Sequence, residues 1–236
     1  MTHFQNKNAL ITGASHQRDI GTAICRKLAS QGINIFFTHW NSDTDWIEKF
    51  QQEITNTGVL CENLKIDLSS ANAAFDILDT MQTKLGSPSI LVNNAAHSIS
   101  SNYLELDARI LDQHYSVNMR STFLLCSEFA RRFTKVDLDA GRIINMTSGQ
   151  ELGPMPGNLA YVATKGAISA FTRSISQELT SIGITVNAVN PGPTDSTWMN
   201  DEIRQHLLPK FPLGRIGLPE DVARTIAFLA SDEAKC

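Results

Sequence analysis

Short apolar runs alternate along this chain with longer stretches in which apolar side chains recur every three or four positions. The runs cover residues 9–12, 33–38, 60–66, 90–93, 142–146 and 184–189. They read as continuous runs rather than strict alternations, as strands covered on both faces do. Helical patterns cover 21–30, 45–56, 71–85, 106–133 and 160–181, with a short one at 200–208 and a last one at 219–230. This alternation predicts an α/β fold: a doubly wound parallel sheet with helices on both faces and right-handed crossovers. No internal repeat, low-complexity tract or linker interrupts it, so a single domain over residues 1–236 is expected. Residues 191–219 are rich in Pro and Gly and read as a loop excursion over a site, with Pro219 opening the last helix.

Composition narrows the classes. Hydrophobic residues make up 42% of the chain, enough for a sizeable core, and charged residues 19%. The net charge is −4 and no dense Lys/Arg run occurs, which argues against nucleic acid as a partner. The N-terminal stretch lacks the apolar segment of a signal peptide, and no run has the length of a membrane span. A cytoplasmic protein with no membrane partner is expected. Cys25, Cys61, Cys126 and Cys236 are scattered without a CxxC pair, as thiols of a reducing compartment are, and no metal site is expected.

Two places carry candidate chemistry. The first run leads into Gly13-Ala14-Ser15-His16-Gln17-Arg18-Asp19-Ile20-Gly21 and then a helix. A strand, a glycine turn and a helix N-terminus form an anion site, because free N–H groups and the helix dipole face the same point. The turn lacks the Gly-x-Gly-x-x-Gly spacing, and an ordinary strand–turn–helix would also read this way. The second place is Tyr161-Val162-Ala163-Thr164-Lys165, with Ser148 upstream. Residues four apart on a helix share a face. A phenol ordinarily titrates near 10, and an adjacent ammonium favours its ionised form. With a Ser hydroxyl to hold a substrate oxygen, the set could move a proton to or from an alcohol oxygen. Tyr and Lys are common on helix surfaces, so the pair alone specifies little.

In register, the segments resemble the short-chain dehydrogenase/reductase family. They are Thr12-Gly13, Ile20-Gly21, Asp67-Leu68, Asn93-Asn94-Ala95-Ala96, Asn118, Ser148, Tyr161-x-x-x-Lys165 and Pro191-Gly192. Within that family the chain is most similar to the 3-oxoacyl-carrier-protein reductase-like group, especially over 141–148 and 183–192. The resemblance implies a Rossmann-like sheet and a nicotinamide dinucleotide. It makes Tyr161 the proton donor in reduction, and Lys165 the group that lowers the Tyr161 pKa and binds the nicotinamide ribose. Ser148 would hold the substrate carbonyl, and Asn118 would fix a water between Lys165 and solvent. Gly13, Ser15, Arg18, Ile20 and Gly21 would meet the phosphates. Asp67 would take the adenine amino group, with Leu68, Asn93 and Ala95 lining the adenosine side. Pro191, Gly192 and Thr194 would close over the nicotinamide.

The chain departs from the family's pattern in three ways. Asp19 stands where the glycine turn usually has its middle glycine, and the loop is longer; enoyl reductases of the superfamily also have longer loops, but with Tyr and Lys spaced more widely. Ala96 replaces a glycine. The sequence ends at Ser231-Asp232-Glu233-Ala234-Lys235-Cys236, where relatives add a further strand; the expected sheet therefore lacks it.

NADP(H) is favoured over NAD(H). After the second run the chain reads Phe37-Thr38-His39-Trp40-Asn41-Ser42, with no carboxylate before Asp43. His39 stands where an acidic residue would hold a ribose 2′-hydroxyl. Arg18 and His16 are placed to reach a 2′-phosphate. His97, Ile99, Gln150, Leu152, Pro154, Met155, Pro156, Trp198 and Met199 are expected near a largely apolar substrate pocket. This suits a small-molecule or carrier-bound ketone, with reduction to a secondary alcohol as the expected reaction. The alternatives are an NAD-linked alcohol or polyol dehydrogenase and a dinucleotide-binding protein without catalysis. The long helices resemble those through which relatives form dimers and tetramers, so a homo-oligomer, as a homotetramer, is expected.

Overall fold

The computed structural model describes residues 7–136 and 138–235; Cys236 lies outside them. All six apolar runs form strands: β1 (Asn8–Ile11), β2 (Asn34–His39), β3 (Cys61–Lys65), β4 (Ile90–Asn93), β5 (Gly141–Met146) and β6 (Ile184–Val189). They make one sheet in the order β3-β2-β1-β4-β5-β6, every pair parallel. The helices are α1 (Ile20–Ala29), α2 (Thr44–Thr55), α3 (Ala73–Lys84), α4 (Ala108–His114), α5 (Ser121–Phe133), α6 (Leu159–Leu179), α7 (Asp201–Leu207) and α8 (Pro219–Ala230).

Neighbouring strand residues face opposite sides of a sheet, which explains why the runs are apolar throughout. Ile11, Ile35 and Phe37 pack with Ile24 and Leu28 of α1, Phe50 of α2 and Ile226 of α8. Leu10, Phe36, Leu91 and Ile143 pack on the other face with Ile77 and Leu78 of α3 and Phe129 of α5. The core is thus two layers split by the sheet. Strand order reverses between β1 and β4, and in such sheets ligands bind at the carboxyl ends of the strands beside that switch.

Some boundaries differ from the sequence reading. The single helix expected over 106–133 is three pieces: α4, a π-helical turn at Tyr115–Arg120, and α5. A π-turn inserts one residue per turn, a register that hydrophobic periodicity does not encode. The pattern at 160–181 gives α6, then a 3₁₀ turn at Thr180–Ile182. Among the described residues β6 pairs on one side only, with β5. Cys25, Cys61 and Cys126 are buried free thiols, and burial pushes Cys61 and Cys126 up to about 12. No helix among the described residues is long and apolar enough to cross a membrane.

Candidate active site

A cavity of about 990 Å³ opens at the carboxyl ends of the strands. Of the candidate residues, Gly13, Ser15, Ile20, His39, Asp67, Leu68, Ala95, Ser148, Tyr161, Lys165, Pro191, Gly192 and Thr194 line it. Arg18, Gly21, Asn93 and Asn118 do not, because each is engaged with the protein itself.

At one end lies the glycine turn. Gly13 has φ 75°, and a Cβ there would sit 2.7 Å from the Ala95 Cα. A Cβ on Gly21 would run into the Gly13 carbonyl oxygen and come within 2.7 Å of Asn94 Nδ2. Gly21 therefore serves the packing of α1 against the turn, not direct contact with a ligand. Asn94 stitches the turn to the end of β4, donating to the carbonyls of Thr12 and Gly13, each at 2.9 Å. The Asp19 carboxylate does not cap α1; it turns back and accepts the N–H of Ser15 (3.2 Å) and of His16 (2.8 Å). That pair of bonds holds the longer loop in shape and leaves the first-turn N–H groups of α1 without a side-chain cap. The close-packed glycines and these uncapped N–H groups fit a dinucleotide pyrophosphate.

Arg18 points elsewhere. Its guanidinium bonds the Asp195 carboxylate at 2.6 Å, and Arg204 grips the same carboxylate with two bonds of 2.9 Å. Arg204, first, and Arg18 hold the Asp195 carboxyl below its ordinary range. Arg18 thus ties the glycine turn to the segment after β6, which corrects its expected place at a 2′-phosphate.

At the end of β2, His39 is nine-tenths buried. Gln51 donates to the Cys61 carbonyl at 2.7 Å, so its oxygen accepts from Asn63 Nδ2 at 2.8 Å. Asn63 Oδ1 therefore faces His39 Nε2, at 3.2 Å. A carbonyl only accepts, so this relay fixes both amides and puts the proton of a neutral His39 on Nε2. Nδ1 is left buried and unpartnered. Burial, first, and the charge of Lys65 push the His39 pKa down. The first carboxylate after β2, Asp43, caps α2 by accepting from Trp46 N at 2.9 Å. Asp67 follows β3, and one of its oxygens accepts from Ser69 N at 2.8 Å. Asn93 turns inward, donating to Asn145 Oδ1 at 2.8 Å; Asn94 and Ala96 line the cavity in its stead.

The other end holds the proton chemistry. Ser148 stands just beyond β5, and Tyr161 and Lys165 lie on one face of α6. Lys165 is buried, and its Nζ donates to the Met146 carbonyl at 2.7 Å. Burial lowers its pKa to about 8. Burial also raises the Tyr161 phenol, and a hydrogen bond with the Ser148 side chain pulls it back down. The Lys165 ammonium lies 5.6 Å from the centroid of the Tyr161 ring. In this arrangement the counterweight on the phenol is Ser148, while the Lys165 ammonium is turned to the Met146 carbonyl.

Asn118 sits in the π-turn, fully buried. Its Oδ1 accepts from His97 N at 2.7 Å, and its Nδ2 donates to His97 O at 2.9 Å and to Thr164 Oγ1 at 3.0 Å. Both amide donors are thus used on protein, and only an acceptor lone pair remains for the expected water. Asn118 clamps the segment after β4 to α6. Of the expected substrate residues, His97, Leu152, Met155 and Trp198 line the cavity, while Ile99, Gln150, Pro154, Pro156 and Met199 do not. Gln113, Ser116 and Val117 also line it and were missed; the signal was their place beside Asn118.

Comparison with known proteins agrees with this geometry. A family model described as "Enoyl-(Acyl carrier protein) reductase" matches residues 13–236. The chain is 75% identical over 235 residues to an uncharacterized oxidoreductase, YjdA, of Bacillus subtilis, covering 100% of this chain and 94% of that protein. It is 37% identical to a 3-oxoacyl-[acyl-carrier-protein] reductase FabG of Pseudomonas aeruginosa, covering 98% of this chain and 92% of that one. The solved short-chain dehydrogenase/reductase of Serratia marcescens superposes with a TM-score of 0.89 at 33% identity, over 98% of this chain and 93% of that one. The chain is an oxidoreductase and belongs to the short-chain dehydrogenase/reductase family.

Proposed function

We propose that this protein reduces a ketone of the 3-oxoacyl type to a secondary alcohol with NADP(H), Tyr161 donating the proton. One observation carries the reading: Ser148, Tyr161 and Lys165 face one end of a cavity whose other end is the glycine turn. NADP(H), when bound, supplies the hydride. The chain supplies orientation and a proton. Gly13, Ser15 and Ile20 would hold the pyrophosphate, Asp67 and Leu68 the adenine side, and Pro191, Gly192 and Thr194 the nicotinamide side. Ser148 Oγ would hold the carbonyl oxygen against the Tyr161 hydroxyl, which gives up its proton as charge builds on that oxygen. Lys165, freed from Met146 O, would turn its ammonium to the ribose hydroxyls and to the phenolate left behind. Asn118 holds His97 and α6 in register around this site. The Tyr-x-x-x-Lys spacing supports ketone chemistry over the wider spacing of enoyl reductases.

NADP(H) is supported by the lack of a free carboxylate after β2 and by Lys65, whose strand position pairs with His39. Two observations favour the NAD-linked alcohol dehydrogenase reading: Nδ1 of His39 is an unpartnered acceptor, which suits a ribose hydroxyl, and Arg18 is engaged with Asp195. Turnover of β-keto esters and thioesters by the full chain, with NADPH and with NADH, tests both. Lack of turnover with every carbonyl compound tried would overturn the enzyme reading. We read the chain further as one domain acting in a cytoplasmic homotetramer; sedimentation as a monomer would overturn the assembly.

A further inference from the structure

We infer that Gln150 is a positioning residue that fixes Ser148 to the helix carrying Tyr161 and Lys165. This rests on the proposed function, since Ser148 matters only if it meets the substrate carbonyl.

The need for such a tie is plain from the backbone. Thr147 N still bonds the Val189 carbonyl at 2.9 Å, the last ladder bond of β5. Ser148 lies one residue past it, at φ −152° and ψ −166°, where the sheet no longer holds the chain. The next residues, Gly149–Glu151, make a single 3₁₀ turn that opens on a glycine, whose backbone freedom leaves the placement of Ser148 to side-chain bonds. The Ser148 N–H is instead taken by Gln150 Oε1 at 3.0 Å. Gln150 Nε2 donates to Ser169 Oγ at 2.9 Å. The amide orientation is forced, because a backbone N–H can only donate.

Ser169 stands four residues after Lys165 and eight after Tyr161, on the same face of α6. That face makes three bonds to β5 and its turn. Thr172 Oγ1 accepts from Asn145 at 2.9 Å, Lys165 bonds Met146 O at 2.7 Å, and Ser169 accepts from Gln150 at 2.9 Å. If Lys165 turns to a bound cofactor, Asn145–Thr172 still ties β5 to α6 and the exposed Glu151–Arg173 pair still ties the turn to it, but among the described residues the Ser169–Gln150 bond is the one that reaches the Ser148 backbone itself. Gln150 does not line the cavity, so it acts through Ser148 and not on a ligand.

The test compares Gln150→Leu, Ser169→Ala and the double variant. Expected for each single variant is a fall in kcat of about tenfold or more with little change in KM, as loss of a transition-state contact gives. NADPH affinity and Tm should stay close to those of the unmodified chain, and the double variant should be no worse than the poorer single one. Gln150→Leu with kcat within about threefold of the unmodified chain, or losses that multiply in the double variant, would overturn the inference.

A readout independent of turnover separates this inference from the proposed function. Tyrosine-selective NMR titration without cofactor, assigned with Tyr161→Phe, follows the Tyr161 phenol. Lys165 on α6 is the titratable group beside it, and His97 lines the same cavity. In Gln150→Leu the phenol should titrate higher, because Ser148 is no longer held against it. An unmoved titration overturns the tie whatever the activity. A moved titration in a chain that turns over no carbonyl removes the proposed function and leaves the tie standing.

Discussion

The two ends of the cavity are built on different principles. The proton-transfer end stands on regular elements: β5 delivers Ser148, and one face of α6 delivers Tyr161 and Lys165. The glycine-turn end is a loop whose shape depends on side chains bonding backbone, Asp19 to Ser15 and His16, and Asn94 to Thr12 and Gly13. The first end keeps the family's pattern and the second departs from it. Helix spacing leaves few ways to hold three groups in line, whereas a loop can be held in shape by many sets of bonds.

Tyr161→Phe should break the contrast most sharply. It removes the proton donor and leaves the glycine turn untouched, so kcat should fall about 10²–10⁴-fold with NADPH affinity unchanged by fluorescence titration. Weakened binding would mean that the two ends are not separable.

Lys165→Met should cost about a hundredfold in kcat, and it also probes stability. Burial holds the folded pKa near 8 against an ordinary 10.5. Between those values the unfolded chain binds more protons than the folded one, so stability without cofactor rises as pH climbs through that window. Below the window the buried charge costs on the order of 3 kcal/mol. The Met variant should therefore gain stability near pH 7 and lose the slope; denaturation at pH 7, 8.5 and 10 checks both. An unchanged slope would place the buried charge elsewhere.

Gly21→Ala tests the other end. The added methyl meets the Gly13 carbonyl and Asn94, and overpacking of this kind costs about 1–3 kcal/mol. Lower Tm and weaker NADPH binding are expected, with kcat at saturation little changed. The smallest effect is expected for Asp19→Asn, which keeps an acceptor and removes a charge beside the pyrophosphate site. NADPH should bind about two- to fivefold tighter; weaker binding would show that both carboxylate bonds are needed to shape the loop.

The same contrast explains what the sequence could tell. All six strands and the Tyr161–Lys165 face follow from local periodicity, which one sequence carries in full. Arg18 could not be placed, because its partner Asp195 is 177 residues away. Asn93 and Asn94 are adjacent, and neighbours near a strand end face different ways; nothing local says which one points inward. The π-turn that seats Asn118 was invisible because hydrophobic periodicity does not encode its register, and the partners of Asn118, His97 and Thr164, are 21 and 46 residues away.

The Arg18–Asp195 pair links the two ends of the molecule's binding face across 177 residues of chain. Ser15, on one side of it, and Thr194, on the other, both border the cavity. The pair therefore joins two segments that border the cavity and lie far apart in the chain. Arg18 is more than half exposed, so that link is weak and screened by salt. Release of an uncharged occupant should quicken with ionic strength if it has to pass this link; a dissociation rate unchanged between low and high salt would show that the pair only ties the two segments together.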